Sequence, residues 1–147
     1  MNLSGSIAHA DEMVRKATAD DVDAILAVIA TNTDRLLARD RAEVSQLLDA
    51  FWVAEADGIV VGCGCLEIYS PKIAELRSLA VREAYRGRGF GAALTRAIVE
   101  EAERRGIPQV LVVTSNREFF ERLNFGPCLN EKYALFWINP DQTETRP

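Results

Sequence analysis

The run Arg86-Gly87-Arg88-Gly89-Phe90-Gly91-Ala92 holds three glycines and two arginines, and it stands directly before a stretch of helical periodicity. Residues of these types in this order can bind an anion. A helix N-terminus leaves main-chain N–H groups without intrahelical partners and carries partial positive charge. Glycine removes the Cβ that would hold an oxyanion away from those groups. Arg86 and Arg88 add full charges beside them. The pattern predicts a cradle for a pyrophosphate. Three other readings compete. A P-loop needs Lys then Ser or Thr after its last glycine, and Ala92-Ala93 stands there instead. Gly87-x-Gly89-x-x-Ala92 fits the dinucleotide fingerprint, but that fold wants its first glycine at the strand end and an acid about twenty residues on. Here five residues separate Val81 from Gly87, and the next strand ends in Thr114-Ser115-Asn116. A ligand-free tight turn is the third, and the two flanking arginines weigh against it.

The elements that must present this loop can be read from periodicity. Met13–Thr18 is a short strand, and Thr18 with Asp20 and Asp21 marks a helix start, followed by Val22, Ile25, Leu26 and Ile29 at helical spacing. A second helix is expected from about Arg39 to Ala50. Phe51–Ala56 and Ile59–Tyr69 are strands joined by Asp57-Gly58, a strong hairpin signal. Ile73–Val81 is a fourth strand and Arg82–Arg88 a basic loop. Gly89–Arg105 is a long amphipathic helix with Leu94, Ile98 and Ala102 on one face. Gln109–Thr114 is a fifth, fully apolar strand of the kind buried on both faces. Asn116–Leu123 is a short helix and Tyr133–Ile138 a last strand. The β-α-β crossover places strands four and five parallel. The expected fold is α/β: a mixed, mostly antiparallel sheet with helices on both faces.

Composition narrows the partners. The 147 residues suit one domain, with 48% hydrophobic and 27% charged residues. Residues 1–12 read as a disordered leader, 13–139 as the domain and 140–147 as a polar tail. Seventeen Lys+Arg against 22 Asp+Glu give a net charge of −5, which argues against nucleic acid as a partner. No apolar run approaches a bilayer span, so no membrane is expected. Cys63, Cys65 and Cys128 do not space as a zinc site or a disulfide framework, and no metal is expected. Free thiols fit a reducing cytoplasm. His9, the only histidine, lies in the leader, which removes Ser-His-Asp and Cys-His chemistry.

Arg86-x-x-Gly89-x-Gly91 fits the R/Q-x-x-G-x-G/A motif of the GCN5-related N-acetyltransferases (GNAT). The chain resembles that family over roughly residues 14–138, including strand order, Asn116 and the Phe119-to-Phe125 segment. The stretches 74–81, 111–114 and 118–120, with Arg35-Leu-Leu-Ala-Arg39-Asp-Arg41, look most like amino-acid acetyltransferases of the N-acetylglutamate synthase type. The resemblance implies a splay between strands four and five, and acetyl-CoA as co-substrate. Its pyrophosphate would lie on Arg86, Gly87, Arg88, Gly89, Gly91 and Ala92, and its pantetheine on the backbone of Leu79, Ala80 and Val81. Asn116 completes the set. It implies acetyl transfer to the amine of a small substrate such as glutamate, placing the protein in amino-acid metabolism. A peptide or protein N-acetyltransferase and a non-catalytic CoA-sensing regulator are the alternatives, and a homodimer is left open.

The amine must lose a proton before it attacks. Glu75 is the candidate base, at the position where some family members carry a catalytic glutamate. Glu75, Arg77, Leu79 and Val81 are expected to alternate onto one face. The plain alternative is that Glu75 and Arg77 pair with each other or with neighbouring strands. Arg39, Arg41 and Arg77 could clamp carboxylates with planar guanidinium groups, although Arg39 and Arg41 also read as a solvated helix face. Phe120 stands where many family members have a Tyr that protonates the leaving thiolate. Tyr85 and Tyr133 are candidate substitutes, or simply core or rim aromatics.

Overall fold

The computed structural model describes residues 9–32, 36, 38–127, 135, 137 and 139–141. The chain divides into two compact units, Met1–Val112 and Val113–Pro147. The first holds a five-stranded sheet in the order β1 (Val14–Lys16), β2 (Phe51–Ala56), β3 (Ile59–Ser70), β4 (Ile73–Val81), β5 (Gln109–Leu111). Neighbours are antiparallel except β4 and β5, which are parallel. The mixed sheet and its crossover are as expected. The Asp57-Gly58 turn has positive φ at both residues (53° and 77°), the type I′ requirement.

Three helices cover the two faces of the sheet: α1 (Val22–Ala30), α2 (Arg41–Gln46) and α3 (Phe90–Arg104). On one face Ile25, Val28 and Ile29 of α1 and Val44 of α2 bury against Phe51, Val53, Cys63 and Cys65. On the other, Phe90, Ala93 and Leu94 of α3 pack with Ala54 and Val61. Gly64 lets α3 come close, since a Cβ there would meet Ile98 Cδ1 at 2.8 Å. The helix N-terminus is thus fixed against the sheet.

Several boundaries differ from expectation. The second helix begins at Arg41 because the Asp40 side chain accepts from the Glu43 N–H at 2.8 Å and caps it. Arg39 therefore lies outside the helix. β5 stops at Leu111 instead of Thr114, and its residues are exposed or half-buried rather than buried on both faces. Of the leader, residues 9–12 form a helical turn, Ala10 is buried among the α3 cluster, and Asp11 pairs with Arg96 at 2.7 Å. The last expected strand and Cys128 fall on residues mostly or wholly outside those described.

The second unit contains α4 (Arg117–Glu121). Asn116 caps it by accepting from the Phe119 N–H at 3.2 Å. Asn124, at φ 69°, ends it, and the Phe125 N–H returns to the Phe120 carbonyl at 3.0 Å. Phe120 is buried between Phe119 and Phe125 in edge-on contacts at 4.9 and 5.3 Å.

One ion pair ties β1 to the start of α1. Arg15 donates to both oxygens of Asp21 at 2.7 and 3.0 Å, and the Thr18 N–H adds a third bond at 2.7 Å. The Arg15 hydrogen bond, foremost, holds the Asp21 carboxyl below its ordinary value of 3.8. A lowered carboxyl stabilises the fold above its ordinary value and loses that contribution as pH falls through the folded one. Asp21→Asn is expected to destabilise by about 2 kcal/mol at pH 7, less than a fully buried pair because Arg15 is half exposed. Urea melts should show the gap to wild type closing as pH falls below 3.8.

Candidate active site

The glycine loop follows β4 through a short 3₁₀ turn, Glu83–Tyr85. Gly87 and Gly89 both have positive φ (77° and 89°), a backbone that side-chain-bearing residues adopt at a cost. Gly89 stands at the N-cap of α3, which has no side-chain cap and no acid in its first turn. Among the described residues, none accepts a hydrogen bond from the main-chain N–H groups of residues 87–92. The Ala93 N–H is the first to be taken, by the Gly89 carbonyl at 3.0 Å. A Cβ on Gly87 would meet nothing within 4 Å. Open donors, a positive helix end and absent side chains together fit a phosphate group.

The two arginines of the loop do different work. Arg88 lies over the Tyr85 ring at 5.0 Å, and Tyr85 stacks edge-on with Phe90. Arg86 stays exposed but reaches back to the fold with two donors. Its Nε donates to the Val81 carbonyl at 3.2 Å and its Nη2 to Asn32 Oδ1 at 2.6 Å. The Tyr85 hydroxyl donates to Asp57 at 2.9 Å, and that bond, foremost, raises its pKa. Tyr85 is thus committed to the β2–β3 turn. Tyr133 lies outside the described residues, and Asn116 belongs to the second unit, where it caps α4.

The opening between β4 and β5 starts where their pairing ends. Ile73, Ala74 and Glu75 pair with Gln109, Val110 and Leu111, and the pairing stops there. From Leu76 to Val81, β4 has no strand partner on that side among the described residues. Leu79, Ala80 and Val81 thus have no strand beside them on the way to the glycine loop, although the Val81 carbonyl is taken by Arg86 Nε.

The expected face of β4 needs correction. Cys63 pairs with Ala80 and Cys65 with Arg77, so two β4 residues, Ser78 and Leu79, oppose Gly64 alone. This is a β-bulge, with Ser78 at φ 55°. It reverses the alternation. Leu79 and Val81 pack on the α3 side, whereas Arg77, level with Cys65, faces the α1 side along with Glu75. Glu75 and Arg77 share a face, but Leu79 and Val81 do not join them.

On the α1 side an ionic chain forms. Glu67 of β3 accepts from Arg39 Nη2 at 2.9 Å on one oxygen and from Arg77 Nη1 at 3.1 Å on the other. Arg39 Nε donates to Ser78 Oγ at 2.6 Å. The Arg39 side chain is only 8% exposed and that of Glu67 13%, so Arg39 is no solvated helix residue. Burial pushes the Glu67 carboxyl up, but the two arginines outweigh it and hold it below its ordinary value. Glu75 does not pair with Arg77, but both bond to the neighbouring strand β3, as the plain alternative allowed. Glu75 Oε1 accepts from the Tyr69 hydroxyl at 2.6 Å. Burial, then this bond to Glu75, raises the Tyr69 pKa, so Tyr69 stays a donor. A groove of about 410 Å³ that Glu67 and Tyr69 help to line opens toward Trp52 and Glu101 on the α3 side, and Glu75, Arg77 and Arg39 do not line it. Arg41 is not brought here. It is 63% exposed and pairs with Asp23 of α1.

Cys63 and Cys65 are buried free thiols, each pushed up to about 12 chiefly by burial, and so remain protonated. Neither is a nucleophile. Among the described residues no helix is long and apolar enough to cross a membrane, and no group of three or more His, Cys, Asp or Glu could hold a metal ion.

Residues 18–125 match the model of the acetyltransferase (GNAT) family. The chain belongs to the GNAT family. It is an acetyl-CoA-dependent N-acetyltransferase. An uncharacterized N-acetyltransferase of Chlorobaculum tepidum is 35% identical over 122 residues, 79% of this chain and 76% of the relative. An amino-acid acetyltransferase of Mycobacterium tuberculosis is 34% identical over 117 residues, 77% of this chain and 67% of the relative. Among solved structures, N-acetylglutamate synthase from Neisseria gonorrhoeae, complexed with coenzyme A and N-acetyl-glutamate, superposes with a TM-score of 0.70. That match has 26% identity and covers 75% of this chain but 27% of the longer synthase chain. These findings agree with the fold and co-substrate that the resemblance implied. Glu67, Tyr69, Ser78 and Asn32, which bond to Arg39, Arg77, Glu75 and Arg86, are not singled out by the sequence alone.

Proposed function

We propose that this acetyltransferase acts on the α-amine of a small carboxylate-bearing amino acid, glutamate being the first candidate. The observation that carries the reading is the ionic chain Arg39–Glu67–Arg77 on the same sheet face as Glu75. Arg77 gives one Nη to Glu67 and keeps its remaining donors for a carboxylate. The names of the mycobacterial and gonococcal relatives support an amino acid as acceptor.

Residues 86–92 would hold the diphosphate of acetyl-CoA, and the strand edge at Leu79 and Ala80, unpaired on the β5 side, would take its pantetheine as an added strand. Acetyl-CoA supplies the thioester. Arg77, with Arg39 behind it, holds the acceptor carboxylate. Glu75 takes a proton from the ammonium, the amine nitrogen forms a bond to the acetyl carbon, and the carbon–sulfur bond breaks. The thiolate leaves with the electron pair, and the second proton that the acetylated nitrogen sheds reaches the sulfur through water, because Phe120 has none to give. Tyr69 holds the Glu75 carboxylate in place. Much of the rate comes from fixing amine and thioester in attack geometry.

The test is thiol release from acetyl-CoA scanned over amino acids and peptides. Turnover of free amino acids supports the reading, and turnover of peptides alone contradicts it. Arg77→Ala is expected to raise the acceptor KM about 10- to 100-fold, since a charged hydrogen bond is worth about 1.5–3 kcal/mol, and to leave the acetyl-CoA KM unchanged. An unchanged acceptor KM removes Arg77 from the clamp.

A further inference from the structure

We propose that Asn32 is the positioning residue for the diphosphate loop, holding residues 86–92 in a CoA-receiving shape through Arg86. The inference rests on the assignment of that loop as the CoA cradle.

Asn32 follows the last turn of α1 and is 4% exposed. Its side-chain orientation is fixed by what surrounds it. Nδ2 donates to the Val28 carbonyl at 2.9 Å and to Thr31 Oγ1 at 3.1 Å. Both of these partners belong to the end of α1, so Oδ1 is directed away from them, toward Arg86 Nη2 at 2.6 Å. The main chain of Asn32 is fixed as well, with its N–H on the Ile29 carbonyl at 2.9 Å and its carbonyl taking the Leu36 N–H at 3.0 Å. A buried amide with both side-chain ends engaged makes a rigid post.

Arg86 is the first residue of the loop motif, 54 positions away from that post. Its Nε is bound to the Val81 carbonyl at the end of β4. One guanidinium thus joins the end of β4, the end of α1 and the start of the loop. The C-terminal end of α1 carries partial negative charge, which favours a cation there. Gly87 and Gly89 follow immediately, both at positive φ, and glycine loses more freedom on ordering than any other residue. A loop rich in glycine holds open N–H donors in register only if one end is anchored. Releasing that anchor moves the ordering entropy into the binding step. Asn32 touches neither CoA nor acceptor in this scheme, and its effect passes through Arg86.

The experiment is calorimetric titration of CoA into wild type, Asn32→Ala, Arg86→Ala and the double variant. Asn32→Ala is expected to weaken CoA about tenfold, the scale of ordering one loop anchor. The acceptor KM at saturating acetyl-CoA should not move. The double variant should bind no worse than Arg86→Ala, because both remove one contact. Unchanged affinity in Asn32→Ala, or losses that multiply in the double variant, overturns the proposal. Asn32→Asp keeps the oxygen that Arg86 uses and serves if the alanine variant does not fold. It should hold CoA within about threefold of wild type, and a larger loss counts against the role. Gly89→Glu in the same titration separates the two layers. If it loses CoA while Asn32→Ala does not, only the role of Asn32 fails. If it keeps CoA, the cradle assignment fails and the role of Asn32 with it.

Discussion

Gly89→Glu is expected to abolish CoA binding, weakening it by more than about 100-fold. Gly89 is the N-cap of α3 and sits at φ 89°, where a side chain is strained. A glutamate there brings bulk and a full negative charge to the group of N–H donors that would meet the diphosphate. Two or three charge-assisted hydrogen bonds are lost, each worth about 1.5–3 kcal/mol. The sum exceeds the roughly 2.7 kcal/mol that a 100-fold loss requires. Calorimetry with CoA reads the effect directly, and circular dichroism checks that the fold persists. A Cβ on Gly89 meets only Ala10 Cβ, at 3.5 Å, so there is room for the substitution itself. Binding that survives would place the diphosphate elsewhere.

Glu75→Gln is expected to lower kcat by about 10²- to 10³-fold, the usual range for losing a general base. CoA affinity should stay at the wild-type value, because Glu75, the last β4 residue paired with β5, lies six residues before Val81 and outside the glycine loop. The glutamine still accepts from the Tyr69 hydroxyl, so geometry is kept while the proton acceptor is lost. Steady-state kinetics over acetyl-CoA and acceptor resolve the two effects. Full rate in the variant would assign proton removal to another group, a water chain being the first to consider.

The glycine loop was legible in the sequence because its chemistry is local. Helix start, missing Cβ atoms and flanking arginines all lie within seven residues, and the 15-residue helix after them buries the expected face. The β2–β3 hairpin was legible for the same reason. What was hidden depends on register or on distant partners. Ser78 carries no mark of a bulge, yet its positive φ moves Leu79 and Val81 to the opposite face from Arg77. Helical spacing takes in Arg39, but Asp40 caps the helix and Arg41 begins it, which frees Arg39 to reach Glu67 and Ser78. Glu67 did carry a signal. It is the one charge in the apolar strand Ile59–Ser70, and a charge held among apolar neighbours needs partners. Asn32 looks like any polar residue after a helix, and only the fold brings Arg86 to it.

The central claim is that main-chain N–H groups of residues 87–92 grip the CoA diphosphate. An NMR titration of the ¹⁵N-labelled protein with CoA tests it most directly. The amide protons of residues 87–92 should move downfield and saturate together with CoA, and pantetheine, which lacks the diphosphate, should leave them in place. Amides of this loop that stay still while CoA shifts resonances elsewhere would contradict it.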